Sequence, residues 1–122
     1  QQKQSKQIME DRLEEELRRA PKGTREALQA FKENGDLKQL EIFARGIIAR
    51  NIDDDYADVL AEANDETRMI DDLGIDSLTM IEIAITFEDA LDIELIDEEL
   101  RELQTLGDVR QYLIKQIDSR PA

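Results

Sequence analysis

Apolar residues along this chain recur at intervals of three and four rather than in alternation, a spacing that predicts helices joined by loops. Ile8, Met9, Leu13 and Leu17, interleaved with Lys, Arg and Glu, predict an amphipathic helix over 4–20. Pro21 ends it, because proline cannot continue the hydrogen-bond ladder. Thr24 is placed to cap a second helix through Phe31, with Ala27, Leu28 and Phe31 inward, and Asn34-Gly35 offers it a left-handed C-terminal cap. Asp36 caps a helix over 37–50, whose stripe of Leu37, Leu40, Phe43, Ala44, Ile47 and Ile48 is dense enough to build a core.

A long acidic connection then runs from Asn51 to Asp76, with one weak helical turn at Tyr56–Leu60. Connections of that length are usually functional or packed on themselves, and Met69, Ile70 and Leu73 are expected to tuck its second half against the core. Residues 77–91 form the most apolar helix and carry two stripes. Met80, Ile83, Ala84, Phe87 and Leu91 share one face, and Leu78, Ile81 and Ile85 lie beside it. One stripe suffices for a core, so the second is free for a partner. A turn over Asp92–Ile96 leads to a short helix near Asp97–Leu103, capped by Asp97 with Leu100 and Leu103 inward. A last helix covers 106–118 on Val109, Tyr112, Leu113 and Ile117. The expected fold is all-α: a helical extension over 1–35, a four-helix domain over 36–118 and a tail over 119–122.

Composition narrows the chemistry. The chain has no Cys and no His, which removes the thiolate nucleophile, the usual zinc ligands and the commonest general base at neutral pH. Charge is uneven: residues 1–50 hold 11 Lys+Arg against 9 Asp+Glu, and residues 51–122 hold 5 against 21. The second part, at −16, repels nucleic acid and anionic lipid and steers basic protein surfaces toward it. No apolar run reaches transmembrane length and no secretory signal is visible, so a cytosolic compartment is the expectation, although the chain opens on Gln1 rather than Met. Asn51 through Glu62 places oxygens as a calcium loop would, but Tyr56 stands where that loop needs glycine. An acidic, solvated turn is the simpler reading.

Leu73-Gly74-Ile75-Asp76-Ser77-Leu78 is the segment with chemistry in it. A glycine turn delivers an Asp-Ser-Leu onto the first turn of the apolar helix. A serine there could serve merely as a helix cap. This segment, with its spacing to four helical elements over residues 37–118 and its acidic setting, resembles the attachment site of acyl carrier proteins. The resemblance implies that a phosphopantetheinyl transferase couples 4′-phosphopantetheine, taken from coenzyme A, to the hydroxyl of Ser77, with Asp76 and Leu78 flanking the site. It further implies a carrier, not an enzyme, that holds acyl intermediates as thioesters for fatty-acid, polyketide or related synthesis. Ile81, Glu82, Ile85, Glu88 and Asp89 are then the partner face, an apolar centre with an acidic rim suited to basic docking patches on acyl-processing enzymes. Phe87, Leu91, Leu95, Leu100 and Leu103 form a core that in the family opens to shelter an acyl chain. A monomer is expected.

Three features depart from the family pattern. Ile96 stands where a proline is usual, Thr79 stands where an acidic residue is common, and residues 1–35 have no counterpart in the minimal carrier. That extension is either a helical pair packed on helix 37–50 or a docking arm or stump of a neighbouring domain. The competing class is an acidic helical adaptor or calcium-responsive protein.

Overall fold

The computed structural model describes residues 2–120, with side chains described from Glu10 onward. Ile8 and Met9, part of the stripe expected on the first helix, and tail residues 121–122 lie outside that description. The order is α1 (Gln2–Arg19), α2 (Thr24–Asn34), α3 (Leu37–Asn51), α4 (Ala57–Ala61), α5 (Ser77–Leu91), α6 (Asp97–Leu100) and α7 (Leu106–Asp118), with one 3₁₀ turn at Asp54–Tyr56. No strand occurs among the described residues, and the all-α expectation holds.

Local chemistry sets most boundaries. The Asp36 carboxylate accepts from the Lys38 amide at 3.0 Å and opens α3. Gly35, at φ 72°, closes α2 in the left-handed region. Thr105 and Asp108 form a reciprocal capping box at the head of α7. Two caps differ from expectation. Thr24 does not cap α2; Gly23 holds the N-cap position, and the Thr24 hydroxyl donates back to the Pro21 carbonyl at 2.8 Å. α6 is also shorter than expected, and Ile96, not Asp97, precedes it, with no side-chain cap.

The core is built where α3, α5 and α7 face one another. Phe43 and Phe87 meet edge-to-face with centroids 6.0 Å apart, among buried Leu40, Ile47, Ile83, Leu91 and Leu113. Leu17 of α1 and Ala27, Leu28 and Phe31 of α2 are buried in the same cluster. The first two helices therefore pack on α3, as the simpler reading of the extension had it. Contact between α2 and α3 is close: a Cβ on Gly46 would collide with the Thr24 side chain.

The long connection is pinned to the head of α7. Met69 N–H donates to the Gln104 carbonyl at 2.8 Å and Leu106 N–H to the Thr67 carbonyl at 2.9 Å. Arg110 grips Asp65 with both terminal nitrogens, at 2.8 and 2.6 Å. Met69 and Leu73 are buried as expected, and Ile75 joins them. Ile70 departs from expectation: it is 65% exposed, because the turn that buries Met69 points its neighbour outward.

Candidate functional site at the start of α5

The turn before α5 is built to present one side chain. Gly74 sits at φ 67°, a conformation that side chains resist, and its N–H donates to the Ile70 carbonyl at 3.0 Å. A Cβ there would also lie 2.7 Å from the Tyr56 ring, so Tyr56 packs against the bare glycine backbone. Buried Leu73 and Ile75 anchor the turn on either side. Asp76 is extended, and its carboxylate accepts from the Thr79 amide at 2.8 Å. That bond, above all, holds the Asp76 carboxyl below the usual aspartate range.

Ser77 is the first residue of α5 and is exposed, and its hydroxyl engages no protein partner among the described residues. Asp76, not Ser77, is the cap, so the bland role for this serine is already filled. Beside it lies a groove of about 360 Å³ lined by Met69, Ile70, Met80, Ile81, Leu100 and Leu103, with Asp76, Ser77, Asp97 and Arg101 at its polar margin. Of the five residues expected to shelter a chain, Leu100 and Leu103 reach this groove. Phe87, Leu91 and Leu95 are buried elsewhere in the core. Ile96, at the proline position, is compensated: its freed N–H donates to the Tyr112 hydroxyl at 2.9 Å, which in turn donates to Glu99 at 2.8 Å.

The expected partner face is split. Leu78 is 65% exposed, Ile81 50%, and Glu82 is exposed beside them. Ile70 comes up next to this patch, which its place in the sequence had not suggested. Ile85, Glu88 and Asp89 are half-buried. The Glu88 carboxylate accepts from the Leu95 amide at 2.9 Å, so it braces the turn after α5 and is not a free rim charge. Burial pushes the Asp89 carboxyl up, against the opposing pull of Arg12 on α1. Asn51 to Glu62 holds the 3₁₀ turn and α4, with Asp53 accepting from the Asp55 amide at 3.0 Å, and among the described residues no group of acids is arranged to hold a metal ion.

Fold and site together define an all-α scaffold that presents an exposed serine at a helix N-terminus, beside an apolar groove, on an acidic surface. Residues 51–113 match the family described as "Phosphopantetheine attachment site", and the chain belongs to that family. It is 40% identical over 68 residues to an acyl carrier protein of Thermobifida fusca (strain YX), covering 56% of this chain and 86% of that protein. An acyl carrier protein of Syntrophobacter fumaroxidans is 34% identical over 80 residues, 66% of this chain and 94% of that one. A meromycolate extension acyl carrier protein of Mycolicibacterium aurum is 43% identical over 61 residues, and the chain spans 63% of its length. The chain is therefore a phosphopantetheine-bearing acyl carrier of fatty-acid or related biosynthesis. Its partners include a phosphopantetheinyl transferase and acyl-processing enzymes. No helix among the described residues is long and apolar enough to cross a membrane.

Proposed function

We propose that Ser77 is the attachment site and that the chain acts as a non-enzymatic carrier in the cytoplasm. The observation that carries this is the unengaged, exposed hydroxyl at the first position of α5, on the rim of the groove. A phosphodiester formed there sits at the positive end of the helix dipole. Asp76 already takes the Thr79 amide, so the dipole and solvent, rather than a ring of free amides, accommodate the phosphate. The group supplies a thiol, which holds acyl chains as thioesters.

In the transfer, the Ser77 oxygen bonds to phosphorus, the pyrophosphate link of coenzyme A breaks with adenosine 3′,5′-bisphosphate as the leaving group, and the serine proton must leave. This chain offers no base for that proton. It has no histidine, and Asp76 is held ionised by its hydrogen bond, with a carboxylate too weakly basic to take it. The transferase supplies the base. Asp76 and Leu78 flank the point of attack, and Met80 and Ile81 with the loop residues Met69 and Ile70 offer apolar contact to arm or chain.

Partner enzymes meet the Ser77 end of α5, where Leu78, Ile81 and Glu82 face solvent within a region of strong negative potential. Intact-protein mass after incubation with coenzyme A and a transferase tests the site. One phosphopantetheine should add to the parent and none to Ser77→Ala, whose helix content should match the parent. Modification of the alanine variant would sink the assignment.

A further inference from the structure

Five cations follow residue 50, and three of them are engaged. Arg68 pairs with Asp71, Arg110 grips Asp65, and Arg120 donates to the Leu91 carbonyl. Of the other two, Lys115 and Arg101, it is Arg101 that lines the groove beside Ser77. Arg101 is exposed, and its guanidinium makes no ion pair or hydrogen bond among the described residues. Its backbone, however, is fixed. The Arg101 N–H donates to the Asp97 carbonyl at 3.2 Å, and Leu100 and Leu103, before and after it, pack half-buried against the core. The Tyr112 hydroxyl, bonded to Ile96 and Glu99, ties the same segment to α7. An arginine at a helix C-terminus often answers the helix dipole, but α6 has four residues and little dipole to answer.

The margin that Arg101 shares with Ser77 is otherwise negative. Asp76, bonded to the Thr79 amide, and Asp97 supply its two carboxylates, and among the described residues Arg101 brings the one positive charge to this groove. A phosphodiester on Ser77 adds a further anion there, on a chain already at −14. Like charges that close oppose one another and raise the free energy of the modified state. A guanidinium on the same margin offsets that repulsion, and its planar fork of N–H donors matches the oxygens of a phosphate.

We propose that Arg101 is the counter-charge of the phosphodiester on Ser77 and holds the root of the pantetheine arm at the groove. This rests on Ser77 being the attachment site. Arg101 donates to the phosphate oxygens, adding a side chain to the dipole and solvent that otherwise meet them. It is a positioning residue, which moves no proton and touches no reacting carbonyl. Before modification the guanidinium is unpaired, so its interaction begins when the group is attached.

The test compares the unmodified and phosphopantetheinylated forms of the parent, Arg101→Gln and Arg101→Lys, with no partner enzyme present. The unmodified forms should melt together, because Arg101 is exposed and unpaired. Modification should lower the melting temperature of Arg101→Gln by about 1–4 °C more than that of the parent, the range expected of an exposed ion pair in a domain of this size. Arg101→Lys, which keeps the charge, should recover part of that loss. The phosphorus-31 resonance of the modified parent should differ from that of Arg101→Gln at low salt, and the difference should shrink at about 1 M salt. A resonance and a melting change on modification that are the same in the parent and Arg101→Gln overturn the assignment. So does a loss in Arg101→Gln that is already complete before modification, which marks a structural role. Intact-protein mass separates this claim from the one beneath it. If Ser77 is not the residue modified, the attachment-site reading fails and takes Arg101 with it. If Ser77 is modified and Arg101→Gln behaves as the parent, only Arg101 falls.

Discussion

At its Ser77 end, α5 shows Leu78, Ile81 and Glu82 to solvent, whereas at its Leu91 end the same kinds of side chain, Ile85, Glu88 and Asp89, are half-buried and engaged. Periodicity puts all six on one continuous face. What divides them is tertiary: the turn after α5 folds back so that Leu95 N–H reaches Glu88. Helical spacing tells which residues share a face, and only packing tells which part of the face stays open.

The strongest way to break this comparison is through the core that both halves share. Phe87, 2% exposed and set edge-to-face on Phe43, should lose about 4 kcal/mol as Phe87→Ser, from lost burial and an unpaired hydroxyl. For a domain of this size that is a large part of total stability. Ile81→Ser, at a half-exposed site, should cost about 1 kcal/mol or less. Equal losses in melting temperature would mean that α5 has no open face at all.

A smaller contrast lies between two glutamates six residues apart on α5. Glu88→Lys strands the Leu95 amide and should cost about 1–3 kcal/mol, because a buried donor left unmade loses its solvation without return. Glu82→Lys should leave melting almost unchanged. Its effect should fall on association with basic partners, slowing it and flattening its dependence on ionic strength. If the two reversals exchange these signatures, the proximal and distal assignments are inverted.

The sequence carried the elements whose signals are local. The spacing and caps of α3, α5 and α7 are written within one or two turns of chain: Asp36 before Leu37, Asp76 before Ser77, and a stripe at every third or fourth residue. The glycine turn and the exposed serine were legible for the same reason. Contacts between distant residues were not. Tyr56 against Gly74, Tyr112 on the Ile96 amide and Glu88 on Leu95 each depend on how elements are laid together, and no spacing rule encodes them. Ile70 was misplaced because an isoleucine in an apolar loop segment defaults to the interior, while the bond from Met69 N–H to Gln104 fixes the alternation that turns Ile70 out. Thr24 was misplaced because a favoured capping residue says nothing of a glycine one position earlier that takes the cap conformation.

The smallest expected effect is also the one that sharpens the comparison most, because the two aspartates of α5 titrate with opposite sign. Asp76 is held below the ordinary aspartate value by the Thr79 amide, so its charge stabilises the fold. That contribution is present above the unfolded value, about 3.9, and is lost as pH falls through the folded one. Asp89 is pushed up by burial, with Arg12 opposing, so ionising it costs stability as pH rises from the unfolded value through the folded one. Melting curves from about pH 7 to about pH 3 on Asp76→Asn and Asp89→Asn read the two terms directly. Asp76→Asn should melt below the parent at neutral pH, and the gap should close on acidification. Asp89→Asn should melt slightly above it at neutral pH, and that gain should vanish once the parent's Asp89 is protonated. If Asp89→Asn instead melts lower at neutral pH, attraction to Arg12 outweighs the cost of burial.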